Sequence, residues 1–130
     1  MSIAGRCMCG DVSFRVDGPL RDVVNCHCHR CRQWSGHYWA ATNAPTERLA
    51  VTDPSAALRW YSPADGVEYG FCGHCGSSLF WRLSTRPESV SISAGCLDQP
   101  TGLTTSTSIW MSEHGDYHTP IPHLLQHERD

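Results

Sequence analysis

The sequence predicts an all-β fold of small antiparallel sheets with little or no helix, and three observations carry that expectation. Short runs alternate apolar and polar residues at period two, which is the spacing of a half-buried strand. Glycine, proline and aspartate punctuate those runs as turns. Cysteines come in close pairs at positions where such turns would fall.

The runs are read in chain order. Val12, Phe14 and Val16 alternate with Ser13 and Arg15, and Asp17-Gly18-Pro19 ends that strand. His37 to Thr42 is a second extended segment. Leu58 to Tyr61 and Val67 to Phe71 flank Pro63-Ala64-Asp65-Gly66, a hairpin pattern. Ser78 to Leu83 follows directly on a pair of cysteines, Val90 to Ala94 alternates again, and Thr107 to Met111 is the last run. Only residues 26–35 have the character of a short helical turn. Tryptophan, tyrosine and phenylalanine are spread along the strands and are read as core.

The chain has 130 residues, 40% of them hydrophobic and 18% charged, with a formal net charge of -3. It is read as one domain, residues 1–130, since no linker, repeat or low-complexity tract divides it. The slight acidity and the absence of like-charge blocks argue against nucleic acid or an anionic membrane as partner. All ten basic residues are arginine. Without lysine, Schiff-base chemistry and a Walker-type phosphate lysine are excluded. No apolar stretch has the length of a signal peptide or of a membrane span, so the cytoplasm, where thiols stay reduced, is the expected compartment.

Eight cysteines could form four disulfides, but their spacing suits metal ions better. Cys72-Gly73-His74-Cys75-Gly76 is a knuckle in which two thiolates chelate one ion while the glycines let the backbone turn tightly. Cys7-Met8-Cys9 supplies a second pair, and the four together make the closed tetrahedron of a structural zinc. A redox role for the CxxC is disfavoured because no βα context surrounds it. His74 is expected at the surface.

The run Cys26-His27-Cys28-His29-Arg30-Cys31-Arg32 offers three thiols and no nearby fourth. Three protein ligands with one open position is the pattern of a catalytic zinc. Arg30 and Arg32 would stabilise thiolates and hold an anionic ligand. His27 and His29 are read as supporting or surface residues. The competing reading is a second structural zinc, closed by a distant group such as Cys96.

Taken together, these motifs resemble the glutathione-dependent formaldehyde-activating enzyme family, which includes the centromere protein V relatives. The residues that carry the resemblance are Cys7-x-Cys9-Gly10-x-Val12-x-Phe14, Cys26-His27-Cys28-x-x-Cys31-Arg32 with Trp34-Ser35-Gly36, and Phe71-Cys72-x-x-Cys75-Gly76 with Leu79. Ala94-Gly95-x-Leu97-Asp98 and Ile109-Trp110 complete the set. The resemblance implies a β-tent-like fold around a four-cysteine zinc on Cys7, Cys9, Cys72 and Cys75. It implies a second zinc, two ions per chain in all, on Cys26, Cys28 and Cys31, able to accept the thiol of glutathione. The implied activity is formation or cleavage of S-hydroxymethylglutathione, a carbon–sulfur lyase reaction.

Zinc lowers the pKa of a bound thiol, so the sulfur can attack formaldehyde as thiolate. Arg30 and Arg32 are the candidates for the substrate carboxylates, with Trp34 beside them. Two features depart from the family pattern. Cys96 stands where a small hydroxyl residue is more usual. Tyr117, within Ser112 to His118, is the nearest substitute for a tryptophan expected there. His114, His118, His123 and His127 are read as surface residues. Two non-enzymatic alternatives remain, a zinc-stabilised binding module and a thiol-based zinc store or redox sensor. The sequence carries no signal for oligomeric state.

Overall fold

A computed structural model describes residues 1–130. Eleven strands form two sheets. The smaller is antiparallel and holds β1 (Ser2–Arg6), β2 (Ser13–Asp17) and β5 (Leu49–Thr52), in the order β1-β2-β5. The larger takes β3 (Val23–Cys26), β4 (Trp39–Pro45), β6 (Leu58–Ala64), β7 (Val67–Cys72), β8 (Ser78–Leu83), β9 (Ser89–Ser93), β10 (Thr105–Ile109) and β11 (Leu125–Gln126). Its order is β11-β10-β3-β4-β9-β8-β7-β6. The fold is mostly β, as the alternation predicts, and β6–β7 is the predicted hairpin.

Four strands escape the sequence reading. β1 carries Ala4 and Gly5 in place of strand formers, and β5 is a mostly exposed edge without alternation. β3 is four residues long and merges into the cysteine run, while β11 has two residues. Two pairings, β10 with β3 and β10 with β11, are parallel. The strand expected over Thr107 to Met111 runs instead over Thr105–Ile109. It stops because Trp110 takes a positive φ of 56°, a conformation that ends extended pairing.

Alternation along the larger sheet sorts residues onto two faces. Ala44, Phe80, Val90 and Ile92 point toward the smaller sheet, where Ile3, Phe14 and Val16 meet them in the main core. Phe14 and Phe80 close the gap edge to face, with ring centroids 5.3 Å apart. The intervening positions, Trp39, Ala41 and Asn43 on β4, Ser89 and Ser91 on β9, and Trp81 and Leu83 on β8, line a cavity instead. One face is therefore devoted to stability and the other to a site. A single helix, α1 (His29–Ser35), lies beside that cavity within the predicted helical window. The Cys28 Sγ accepts from the Cys31 N–H at 3.4 Å at its start, and Gly36, with φ 89°, ends it.

Candidate functional site

The turn after β1 and the knuckle after β7 bring four sulfurs together. The Sγ atoms of Cys7, Cys9, Cys72 and Cys75 all lie within 4.8 Å of one another. Cys7 and Cys72 are buried and Cys9 is exposed. Backbone N–H groups aim at these sulfurs, Val12 to Cys7 at 3.3 Å and Cys75 to Cys72 at 3.4 Å, which is how thiolates are stabilised. Burial works to raise the Cys75 thiol, yet hydrogen bonds with Ser77 draw it down to about 5. The donor set and its N–H···S bonds fit a closed four-sulfur metal site. His74 is not part of it; it is exposed and bonds Asp11 Oδ2 at 2.6 Å.

The second group stands at the end of β3 and the start of α1. Cys26, Cys28 and Cys31 again have their sulfurs within 4.8 Å of one another. Thiol hydrogen bonds from Cys26 and Cys31, reinforced by the N–H groups of Cys31 and Arg30, pull Cys28 down to about 2. The bond to Cys28 pushes Cys26 up to about 12, and bonds to both partners together with burial push Cys31 up strongly. Three thiols at this separation share one negative charge when no cation is present; a cation allows all three to ionise. The donor set fits a metal with one position left over.

These three sulfurs open onto the cavity of about 230 Å³ on the free face of the sheet. Its walls include Trp39, Trp81 and Trp110, its polar groups Asn43, Ser89 and Ser91, and its cations Arg21 and Arg86. Arg21 Nη2 donates to Ala41 O at 2.9 Å and meets no carboxylate. Tyr69 also borders the cavity and is buried beside Cys31. Burial first, and then the neighbouring cysteines, hold its phenol above the usual range, so it stays protonated.

The structure distributes the other expected residues differently. Arg30 and Trp34 line a separate space of about 560 Å³, with Tyr61 and Phe71, which shares only Tyr69 with the first. Arg32 Nε donates to Glu113 O at 2.8 Å, so its guanidinium is occupied in holding the segment after β10. Cys96 stands apart from the three-cysteine group. Its Sγ donates to Ser78 O at 3.4 Å and it packs with Cys75 against the main core, on the opposite face of the sheet. Tyr117 is exposed and lies against His37, away from the cavity, whereas Trp110 lines it. Arg21 and Arg86 carried no sequence signal, because each stands outside every motif and only the fold brings them together.

Glu113 was also unmarked in the sequence. Its Oε1 accepts from the His29 backbone N–H at 2.8 Å and pairs with His29 Nδ1 at 2.9 Å, capping α1 from outside. Those bonds hold the Glu113 carboxyl below its ordinary range. A carboxyl lowered in the folded state stabilises above its unfolded pKa, and that contribution fades as pH falls through the folded value. Because a third of the side chain is exposed, Glu113→Ala is expected to cost no more than about 1 kcal/mol, the usual value of a cap. Thermal unfolding of the two proteins should differ by a few degrees at pH 7, with the gap closing at acid pH.

Residues 2–113 match the family described as glutathione-dependent formaldehyde-activating enzyme. The chain belongs to that family. A curated protein of Halomonas elongata, named "Putative glutathione-dependent formaldehyde-activating enzyme", is 33% identical over 106 residues, covering 75% of this chain and 67% of its own. A crystal structure of a Rhodobacter sphaeroides protein superposes with a TM-score of 0.65 at 23% identity, covering 78% of this chain and 97% of that one. That likeness shows a shared fold. Membership in the formaldehyde-activating family is consistent with both cysteine groups and with a glutathione-related function. No helix is long and apolar enough to cross a membrane.

Proposed function

We propose that the chain catalyses the reversible joining of formaldehyde, or a similar small aldehyde, to the sulfur of a glutathione-type thiol in the cytoplasm. On this reading it is a zinc-dependent carbon–sulfur lyase. Cys7, Cys9, Cys72 and Cys75 hold a structural zinc, and Cys26, Cys28 and Cys31 hold a second. The observation that carries the reading is the three-cysteine group opening onto a cavity with two unpaired arginines.

Zinc on Cys26, Cys28 and Cys31 would supply an open position that holds a substrate sulfur as thiolate. The protein's own residues do the rest. Arg21 and Arg86 fit the two carboxylates of glutathione, fixing the tripeptide so that its sulfur lies by the cysteines. Trp39 and Trp81 exclude water from the aldehyde. In the forward direction the sulfur adds to the carbonyl carbon, a C–S bond forms, and the C=O π pair becomes an alkoxide. Tyr69, protonated and at the wall, gives that oxygen its proton and is restored to the neutral phenol by the proton the substrate thiol sheds on ionising; in cleavage these transfers reverse and the C–S bond breaks.

Substitution of the arginines tests substrate and site together. Arg21→Met and Arg86→Met should each raise KM for glutathione roughly ten- to hundredfold with kcat little changed, since a charge-assisted bond contributes about 1.5–3 kcal/mol. A glutathione diester should show the same loss with the parent protein. Unchanged KM in both variants would remove the carboxylate assignment.

A further inference from the structure

Six rings crowd together where three segments of chain meet. His27 follows β3, His37 and Tyr38 precede β4, and His114, Tyr117 and His118 lie beyond the turn at Met111–Glu113. His27 is fully buried, and its ring centroid is 4.5 Å from that of His118 and 6.4 Å from that of His37. His37 and His118 are 4.9 Å apart.

The hydrogen-bond accounting of this cluster does not close. His27 Nδ1, His27 Nε2, His37 Nδ1 and His118 Nε2 are buried without a partner, and they are the only such side-chain atoms in the protein. Buried polar groups without partners are rare and costly, and here they fall on three neighbouring rings, so that one ligand could take a nitrogen from each. An imidazole nitrogen offers a lone pair, and the group nitrogens share an appetite for is a borderline divalent metal.

The spacing agrees. With metal–nitrogen bonds of 2.0–2.1 Å, three imidazoles in tetrahedral directions have centroids roughly 5 Å apart. The observed separations scatter about that value. The nitrogens themselves do not lie within 4.8 Å of one another as the sulfurs do, so the proposed site requires the rings to turn about χ2 when the ion binds. His114, 6.2 Å from His118, has its Nδ1 tied to Met111 O at 2.7 Å. That bond leaves Nε2 as the free lone pair, the arrangement of a ligand held by an outer partner.

We infer that His27, His37 and His118, with His114 beside them, form a metal site of their own for a divalent cation such as zinc. It lies in a different place from both cysteine groups and uses only nitrogen donors. Its effect is to fasten the segments before β4 and after β10 to the stretch of chain that carries Cys26 and Cys28.

The test uses protein whose cysteine sites are filled with zinc, titrated with Co²⁺ and followed by visible absorption and metal analysis. One further cobalt per chain is expected, with d–d bands and no sulfur-to-cobalt charge-transfer band. His37→Ala and His118→Ala should each weaken it at least ~10-fold, the scale at which even outer partners act. A His123→Ala/His127→Ala double variant, changed at two exposed rings, should bind as the parent does. Retained cysteine-held zinc reports that the variants are folded. Should a variant fail to fold, cobalt must protect His37 and His118 of the parent from diethyl pyrocarbonate, read by mass spectrometry. No extra cobalt, undiminished binding in both single variants, a sulfur charge-transfer band, or absence of protection would each overturn the site.

Discussion

Replacing Cys72 by serine is expected to abolish the native fold. Cys72 is 0% exposed, takes the Cys75 N–H, and is one of four sulfurs joining the turn after β1 to the end of β7. A zinc bound there would contribute on the order of 10 kcal/mol, whereas a domain of this size has a net stability of about 5–15 kcal/mol. Losing one thiolate from a closed site therefore removes most of what separates folded from unfolded chain. The smaller sheet is affected first, because Cys7 and Cys9 follow directly on β1 and tie it to the end of β7, leaving core packing such as the Phe14–Phe80 contact to hold it once the site is lost. Circular dichroism and a thermal scan should show no cooperative transition in Cys72→Ser. A normal transition with full zinc content would disprove a structural metal at these four sulfurs.

Replacing Cys28 by serine should have the opposite profile. Serine is a favoured helix N-cap, so α1 keeps its cap while the sulfur is lost. The main core lies on the other face of the sheet and is untouched. We expect a folded protein that loses the zinc held by the three-cysteine group and keeps the zinc held by the four-cysteine group. Its thiol–aldehyde activity should drop on the order of a thousandfold, the scale seen when one preorganised electrostatic partner is removed. Metal analysis of the purified variant, with kcat measured alongside, checks both expectations. Full activity without the second metal would show that a metal at Cys26, Cys28 and Cys31 takes no part in the reaction, whereas no activity in the parent protein with both cysteine groups filled would favour a binding module or a zinc store over a lyase.

Much of this was legible in the sequence, for reasons that are local. Metal-ligand spacing is a property of a few adjacent residues, so the pairs at Cys7/Cys9 and Cys72/Cys75 and the trio at Cys26, Cys28 and Cys31 could be read directly. Period-two alternation likewise reports strands such as β2 and β9 without knowledge of their partners. What could not be read depends on which strands become neighbours. The parallel pairing of β10 with β3 brings Trp110 to the cavity, and only the fold brings Arg21 and Arg86 to the same cavity. The same limit applies to Arg30 and Arg32. Beside the cysteines in sequence they look like substrate ligands, but helical geometry sends one to a separate cavity and the other to Glu113 O. The histidines repeat the lesson, since His118 lies far along the chain yet stacks near His27.

The separation of the two halves of the four-sulfur site has a consequence for how the protein is made. Cys9 and Cys72 are 63 positions apart, so a ribosome adding roughly 5–20 residues per second exposes the first pair for several seconds before the second emerges. During that interval Cys7 and Cys9 are an incomplete chelate, free to bind the wrong cation or to be oxidised. Newly made chains, not mature ones, are then the population most sensitive to copper load and peroxide. Expression yield in cells should track the metal and redox state of the cytosol at the moment of synthesis.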